Sequence, residues 1–240
     1  MIHCENAGGF LARAQPIRYL LVDNGIPYED ELIPVWRNED ACEKFRKGEF
    51  NLDDINSGLF QPDFSKEWLD KKSKMPYGQV PALETDDGLK IAPTNAILRY
   101  LARKFKLCGS TDEQATEIDM LFEFESELRE RMYSMIYSNF YNGSREKLSN
   151  IVIPRGLTIL EGELKKNKGG MGFLVGDEIT FVDYKVADLL DTCKAVDPKA
   201  LDAFPALNGY FERIIARPKI AELREKEPYK SMTFVGAKYI

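Results

Sequence analysis

The chain changes texture once, near residue 106, and that change limits the folds open to it more than any other feature. Before it, short strand-like runs alternate with helical patterns. After it, apolar residues recur only at helical spacing. In the first part, 2–4 is a short apolar start. Residues 13–24 read as a helix with Ile17, Leu20 and Leu21 on one face, stopped by Gly25. Residues 28–32 form a second strand candidate. The runs 80–84 and 89–92 flank Asp87-Gly88, a hairpin signal. Residues 95–105 form an amphipathic helix with Ile97, Leu98, Leu101 and Phe105 on its apolar face. The order is strand–helix–strand, an interval, then strand–hairpin–strand–helix. The interval, 36–65, is polar, carries Gly48, Gly58 and Pro62, and reads as a partly helical insertion.

The second part reads as helices over 111–139, 152–166, 181–196 and 204–217. Along the first of these, Ile118, Leu121, Leu128, Met132 and Met135 keep close to a seam that Glu125 interrupts. Thr180 and Asp183 stand three apart before an apolar run, as a capping box requires, and Gly176-Asp177 is a turn just ahead of them. Pro218 ends one helix or begins the next. The expected architecture is α+β with two domains, 1–107 and 108–240, the second all-helical.

Composition narrows the function. With 240 residues the chain is long enough for a core without staples. It has 33 Lys+Arg against 39 Asp+Glu, a net charge of −6, and its basic residues do not cluster, so no nucleic-acid partner is expected. The first ten residues have no basic start and no apolar run of signal-peptide length, and no stretch approaches the ~20 apolar residues of a membrane span. A cytoplasmic protein without a membrane partner is the expectation. Cys4, Cys42, Cys108 and Cys193 lie far apart with no CxxC, and His3 is the only histidine, so no metal site or dithiol motif is signalled.

Two short motifs carry chemistry. Pro81 stands at a strand entrance, where a residue without an amide is tolerated or a cis turn is made. With that bond cis, the amide and carbonyl of Val80 face outward and can pair with an extended peptide as an added strand. A plain strand-entry proline is the simpler alternative. Pro93-Thr94-Asn95 opens a helix whose free amides and positive dipole end suit a carboxylate, with the Thr94 hydroxyl a further donor. The alternative is that Thr94 or Asn95 only caps the helix.

Taken with MPYGQVPALE, the segments TNAILRYLARKFKLCG, FLVGDEITFVDYKVADLL and LDAFPALNGYFERIIARPKI, in that order, resemble the cytosolic glutathione transferases. With MIYSNFYNG, they look closest to the pi, mu and sigma classes. The resemblance spans roughly 10–35 and 66–235. It implies a thioredoxin-like N-terminal domain, an all-helical C-terminal domain, a cytosolic homodimer, and glutathione as co-substrate for conjugation to small hydrophobic electrophiles in detoxification. It assigns Gln79 and Val80, next to Pro81, to the cysteinyl and γ-glutamyl parts of glutathione, Thr94 to the γ-glutamyl carboxylate, and Trp68 and Lys72 to the glycyl carboxylate. Arg13 matches the family's arginine at the first helix start. Glu127 matches an acidic residue that reaches the γ-glutamyl amine of the other subunit, and Tyr137 an aromatic facing the electrophile, where Phe10 also stands. Such a set suits a ligand with two carboxylates and one ammonium. Simpler readings stand beside these: a solvated helix face for Glu127, packing for Trp68, surface charge for Lys72 beside Lys71 and Lys74, and core for Tyr137.

The resemblance fails where the thiol is activated. A thiol with its pKa near ~8.5 is mostly protonated at neutral pH, and a hydrogen bond donated to sulfur lowers that value. In the pi, mu and sigma classes a tyrosine at the end of the first strand donates it. Here no tyrosine precedes Tyr19, and Ala7 takes its place in an ungapped alignment on Arg13. A gap at Gly8-Gly9 brings Cys4, Glu5 or Asn6 to the sulfur. Asn6 then donates an amide hydrogen, or Cys4 forms a mixed disulfide, or glutathione is bound without much catalysis. As a cysteine, Cys4 also reads simply as a small buried hydrophobe. Pro93 stands where the family commonly has Gln or Glu. Besides the transferase, two functions stay open: a non-catalytic glutathione- or ligand-binding relative, and a glutathione-dependent isomerase or thiol–disulfide enzyme using Cys4.

Overall fold

A computed structural model describes residues 2–7, 12–33, 66–139 and 145–232. The expected insertion 36–65 and Phe10 lie outside them. The chain forms two compact units. The first draws on 1–14, 26–97 and 231–240, the second on 15–25 and 98–230.

The first unit holds a four-stranded sheet in the order β2-β1-β3-β4. Strand β1 (Ile2–Ala7) runs parallel to β2 (Tyr28–Ile33), in register from Ile2 opposite Tyr28 to Ala7 opposite Ile33. It is longer than its apolar start because this ladder carries Glu5 and Asn6 along with it. On its other side β1 pairs antiparallel with β3 (Ala82–Glu84), and β3 with β4 (Lys90–Ile91). The turn that Asp87-Gly88 signals is present. The Gly88 amide donates to the Thr85 carbonyl at 2.8 Å, and Gly88 takes φ +81°, where a Cβ is disfavoured. Ile33, Met75, Ala82 and Ala92 form an apolar cluster in this unit, with Val80 against it. Helix α2 (Lys66–Lys72) leads into the turn before β3.

The second unit is helical. Helix α1 (Gln15–Asp23) ends at Gly25, which has φ +62°. Helix α3 (Thr94–Phe105) gives its first residues to the first unit and the rest to the second. Then follow α4 (Asp112–Asn139), α5 (Ile153–Lys166), α6 (Phe181–Val196), α7 (Pro205–Ile215) and α8 (Pro218–Glu225). Pro218 begins α8, where its missing amide costs nothing. Helix α6 is buried on nearly all sides, with α1, α4 and α7 packed around it. The capping box is present: the Asp183 carboxylate accepts from the Thr180 amide at 2.8 Å and from its hydroxyl at 2.9 Å. The interruption at Glu125 does not turn that position outward. Glu125 has 0% exposure, on the same seam as Ile118, Leu121 and Leu128. Among the described residues no helix is long and apolar enough to cross a membrane.

Candidate functional site

Local sequence builds the candidate site in the first unit. Pro76-Tyr77-Gly78 makes a tight turn after α2. Tyr77 takes φ +57°, which throws its side chain out to 81% exposure. Gly78 has φ +58°, and a Cβ there would meet Lys72 Cγ at 3.2 Å and Cε at 3.3 Å, so the Lys72 stem lies along the turn. The chain then extends. Gln79 is exposed with φ −127° and ψ 152°, Val80 is half-buried, and Pro81 is buried. The Val80–Pro81 peptide is cis, as are Ala92–Pro93 and Glu227–Pro228. Among the described residues neither the amide nor the carbonyl of Val80 has a backbone partner. That leaves one residue of unpaired strand edge beside β3, which an extended ligand can complete.

The second element is the start of α3. The Pro93 carbonyl accepts from the amides of Ala96 (2.9 Å) and Ile97 (3.1 Å), so the helix opens at Thr94. The earlier amides of that turn have no acceptor within the helix, and the dipole end favours an anion. The Thr94 hydroxyl donates to the Arg13 carbonyl at 3.3 Å and joins the short 3-10 turn Ala12–Ala14 to the start of α3. Arg13 and Thr94 are therefore neighbours, although 81 positions separate them.

The candidates at the thiol end stand on β1. Cys4 lies mid-strand between Asp30 and Leu83, with 3% exposure. Asn6 stands two residues further toward the strand's C-terminal end, opposite Leu32. The side chains of Asn6, Trp68 and Tyr137 lie outside the description; Trp68 is on α2 and Tyr137 on the last turns of α4.

Glu127 is in the second unit, exposed on α4. It lines a cleft of about 210 Å³ together with Phe124, Leu128, Ile151, Ile159, Arg131 and Arg155. One wall is the π-helical turn Leu148–Val152, which sets Ile151 outward at the start of α5. Sequence reading missed this cleft, because its two walls come from separate helices. It also missed Tyr77, although the Pro-Tyr-Gly turn was a signal for it.

Residues 41–103 match the glutathione S-transferase N-terminal domain, and residues 126–227 match the C-terminal domain of the same family. Glutathione S-transferase P 1 of Xenopus laevis is 34% identical over 88% of this chain and 85% of its own length. A glutathione S-transferase of Dirofilaria immitis is 32% identical over 93% and 92%. The structure of the Onchocerca volvulus pi-class enzyme superposes with a TM-score of 0.79 at 27% identity, covering 96% of this chain and 95% of that one. Na-GST-3 of Necator americanus, described as monomeric, gives 0.72 at 25% identity, covering 95% and 97%. The chain belongs to the glutathione S-transferase family. It is a transferase with that family's thioredoxin-like domain and helical domain.

Proposed function

We propose that this chain conjugates the thiol of glutathione to small apolar electrophiles, as a cytoplasmic homodimer in detoxification. The observation that carries the reading is the unpaired edge at Val80 together with the open start of α3 at Thr94, both in the first unit. Val80 pairs as a strand with the cysteinyl residue, and Gln79 and Pro81 flank it. The γ-glutamyl carboxylate sits at the first turn of α3, taking the Thr94 proton in place of the Arg13 carbonyl. Trp68 and Lys72 hold the glycyl carboxylate. The functional division falls at 107/108. The reading gives a metal no role.

At the sulfur we assign the donor to Asn6 rather than Cys4. A mixed disulfide needs an accessible thiolate, and Cys4 is buried in the middle of a strand paired on both sides. The reading assigns Tyr137 and Phe10 to the electrophile. Glu127 meets the γ-glutamyl ammonium of a second copy. Its exposed place on a cleft lined by Leu128, Ile151 and Ile159 supports an interface there, as does the exposure of Ile151 and Ile159.

One observation favours a second reading: with no tyrosine before Tyr19, the chain lacks the class's usual activator. It would then bind glutathione without much turnover. Two measurements separate these. Conjugation of a chromogenic aryl halide should show saturable dependence on glutathione, and calorimetry should show glutathione binding. Binding without turnover would replace the transferase reading by that of a carrier. Absence of both would end each of them.

A further inference from the structure

Four ionisable side chains are buried together between α4 and α6, and the conjugation reading uses none of them. Glu125 and Arg129 come from α4, Lys185 and Asp188 from α6. Arg129 is the hub. Its Nε donates to Glu125 Oε1 at 2.6 Å and its Nη1 to Asp188 Oδ2 at 2.7 Å; Nη1 also reaches the Tyr133 hydroxyl at 3.4 Å, and Nη2 the Lys185 carbonyl at 3.1 Å. Lys185 Nζ lies 2.8 Å from Glu125 Oε2 and 3.6 Å from the centre of the Phe122 ring. With every group ionised the charges balance, two against two. Two carboxylate oxygens of the quartet, Glu125 Oε2 and Asp188 Oδ1, are buried and accept no hydrogen bond among the described residues; Glu125 Oε2 has the Lys185 ammonium beside it, and Asp188 Oδ1 has no such ion pair. A buried carboxylate oxygen without a donor costs the fold most when it carries charge.

We propose that Asp188 is a proton-dependent positioning residue: Oδ1 takes up and releases a proton, and the change reaches the C-terminal turns of α4 through Arg129 and Tyr133. With the proton on, Arg129 keeps Glu125 as its one charged partner and the quartet carries a net positive charge. With it off, Arg129 is gripped from both helices. Tyr133 stands one turn before Tyr137 on α4, the residue that the transferase reading assigns to the electrophile. Only this last link rests on the transferase reading.

The surroundings agree with titration near neutrality. Burial pushes the Asp188 carboxyl up to about 7, with Arg129 opposing and Asp191 and Glu125 adding to the rise. The groups facing this region from each packed element are Glu125, Arg129 and Tyr133 of α4, Lys185, Asp191 and Cys193 of α6, Arg224 of α8 and Tyr19 of α1. A carboxyl raised in the folded state holds a proton that the unfolded chain has already lost. Its contribution to stability is therefore full at acid pH and is lost as pH rises through about 7.

Asp188→Asn keeps the shape and removes the titration. Thermal unfolding of both proteins, from about pH 5.5 to about pH 8.5, should show the variant's midpoint gaining on the wild type with pH, by about 4 °C or more. In the same window, the pH profile of kcat for a chromogenic electrophile should lose an inflection near neutrality in the variant, while KM for glutathione stays within twofold. Parallel unfolding curves would overturn the titration. Separated unfolding curves with coincident kcat profiles would overturn the positioning role. If neither protein turns over, the transferase reading has failed, and the unfolding comparison still decides the titration. If the variant does not fold, hydrogen exchange in wild-type α4 decides. After correction for intrinsic rates, protection should change about tenfold between pH 6 and pH 8, and unchanged protection would overturn the proposal.

Discussion

Asn6 and Cys4 stand two positions apart on β1, and what separates the roles proposed for them is the burial of Cys4 and their different places on the strand. The Cys4 thiol is buried, on a strand paired on both sides. Cys4→Ser should leave conjugation within about twofold. Asn6→Ala should reduce kcat/KM by about 10²-fold, the usual loss for removing one positioned donor to a developing anion. Steady-state kinetics on the two variants check this. The reverse pattern would return the thiol role to Cys4. Residue identity alone could not choose, since both types can serve a sulfur. Register and burial make the difference, and both belong to the sheet. Glu125 teaches the same point: on the sequence it interrupts an apolar seam, and in the fold Arg129 and Lys185 compensate its charge inside that seam.

At the scale of elements, the capping box at the start of α6 was legible because its logic is local. Four backbone positions fix which side chain meets which amide. The tertiary structure adds partners that the spacing does not show. Asp183 Oδ1 also accepts from the Leu174 amide at 3.0 Å and the Tyr210 hydroxyl at 2.9 Å. Burial still pushes this carboxyl up, against those four donors. Asp183→Ala should destabilise the fold by about 3–5 kcal/mol, because it leaves several buried donors unsatisfied at once. Urea unfolding at neutral pH measures it, and a loss below about 1 kcal/mol would show that Asp183 does no more than cap a helix end. The hairpin at Asp87-Gly88 was readable for the same local reason. The close approach of α4 and α5 was not. A Cβ on Gly156 would stand 2.3 Å from Leu128 Cδ2, and nothing in the neighbourhood of Gly156 in the sequence points to Leu128.

For the whole molecule, the open question is what covers the cleft beside Glu127. Sedimentation should give about twice the chain's 27.4 kDa at micromolar concentration, and Ile159→Asp should shift it toward the monomer while weakening glutathione binding. A wild-type monomer with full glutathione affinity would remove the intersubunit role of Glu127.

Sequence by itself determined the order of strands and helices, the turn at Gly88, the cap at Thr180 and the family to which these belong. All of them are written in spacings of a few residues, where backbone geometry dictates the outcome. Only the tertiary structure brought Arg13 to Thr94, left Val80 without a backbone partner among the described residues, buried Cys4 and gathered four charges between α4 and α6. Those facts depend on which distant segments pack together and on how much water they exclude, and no local pattern records either.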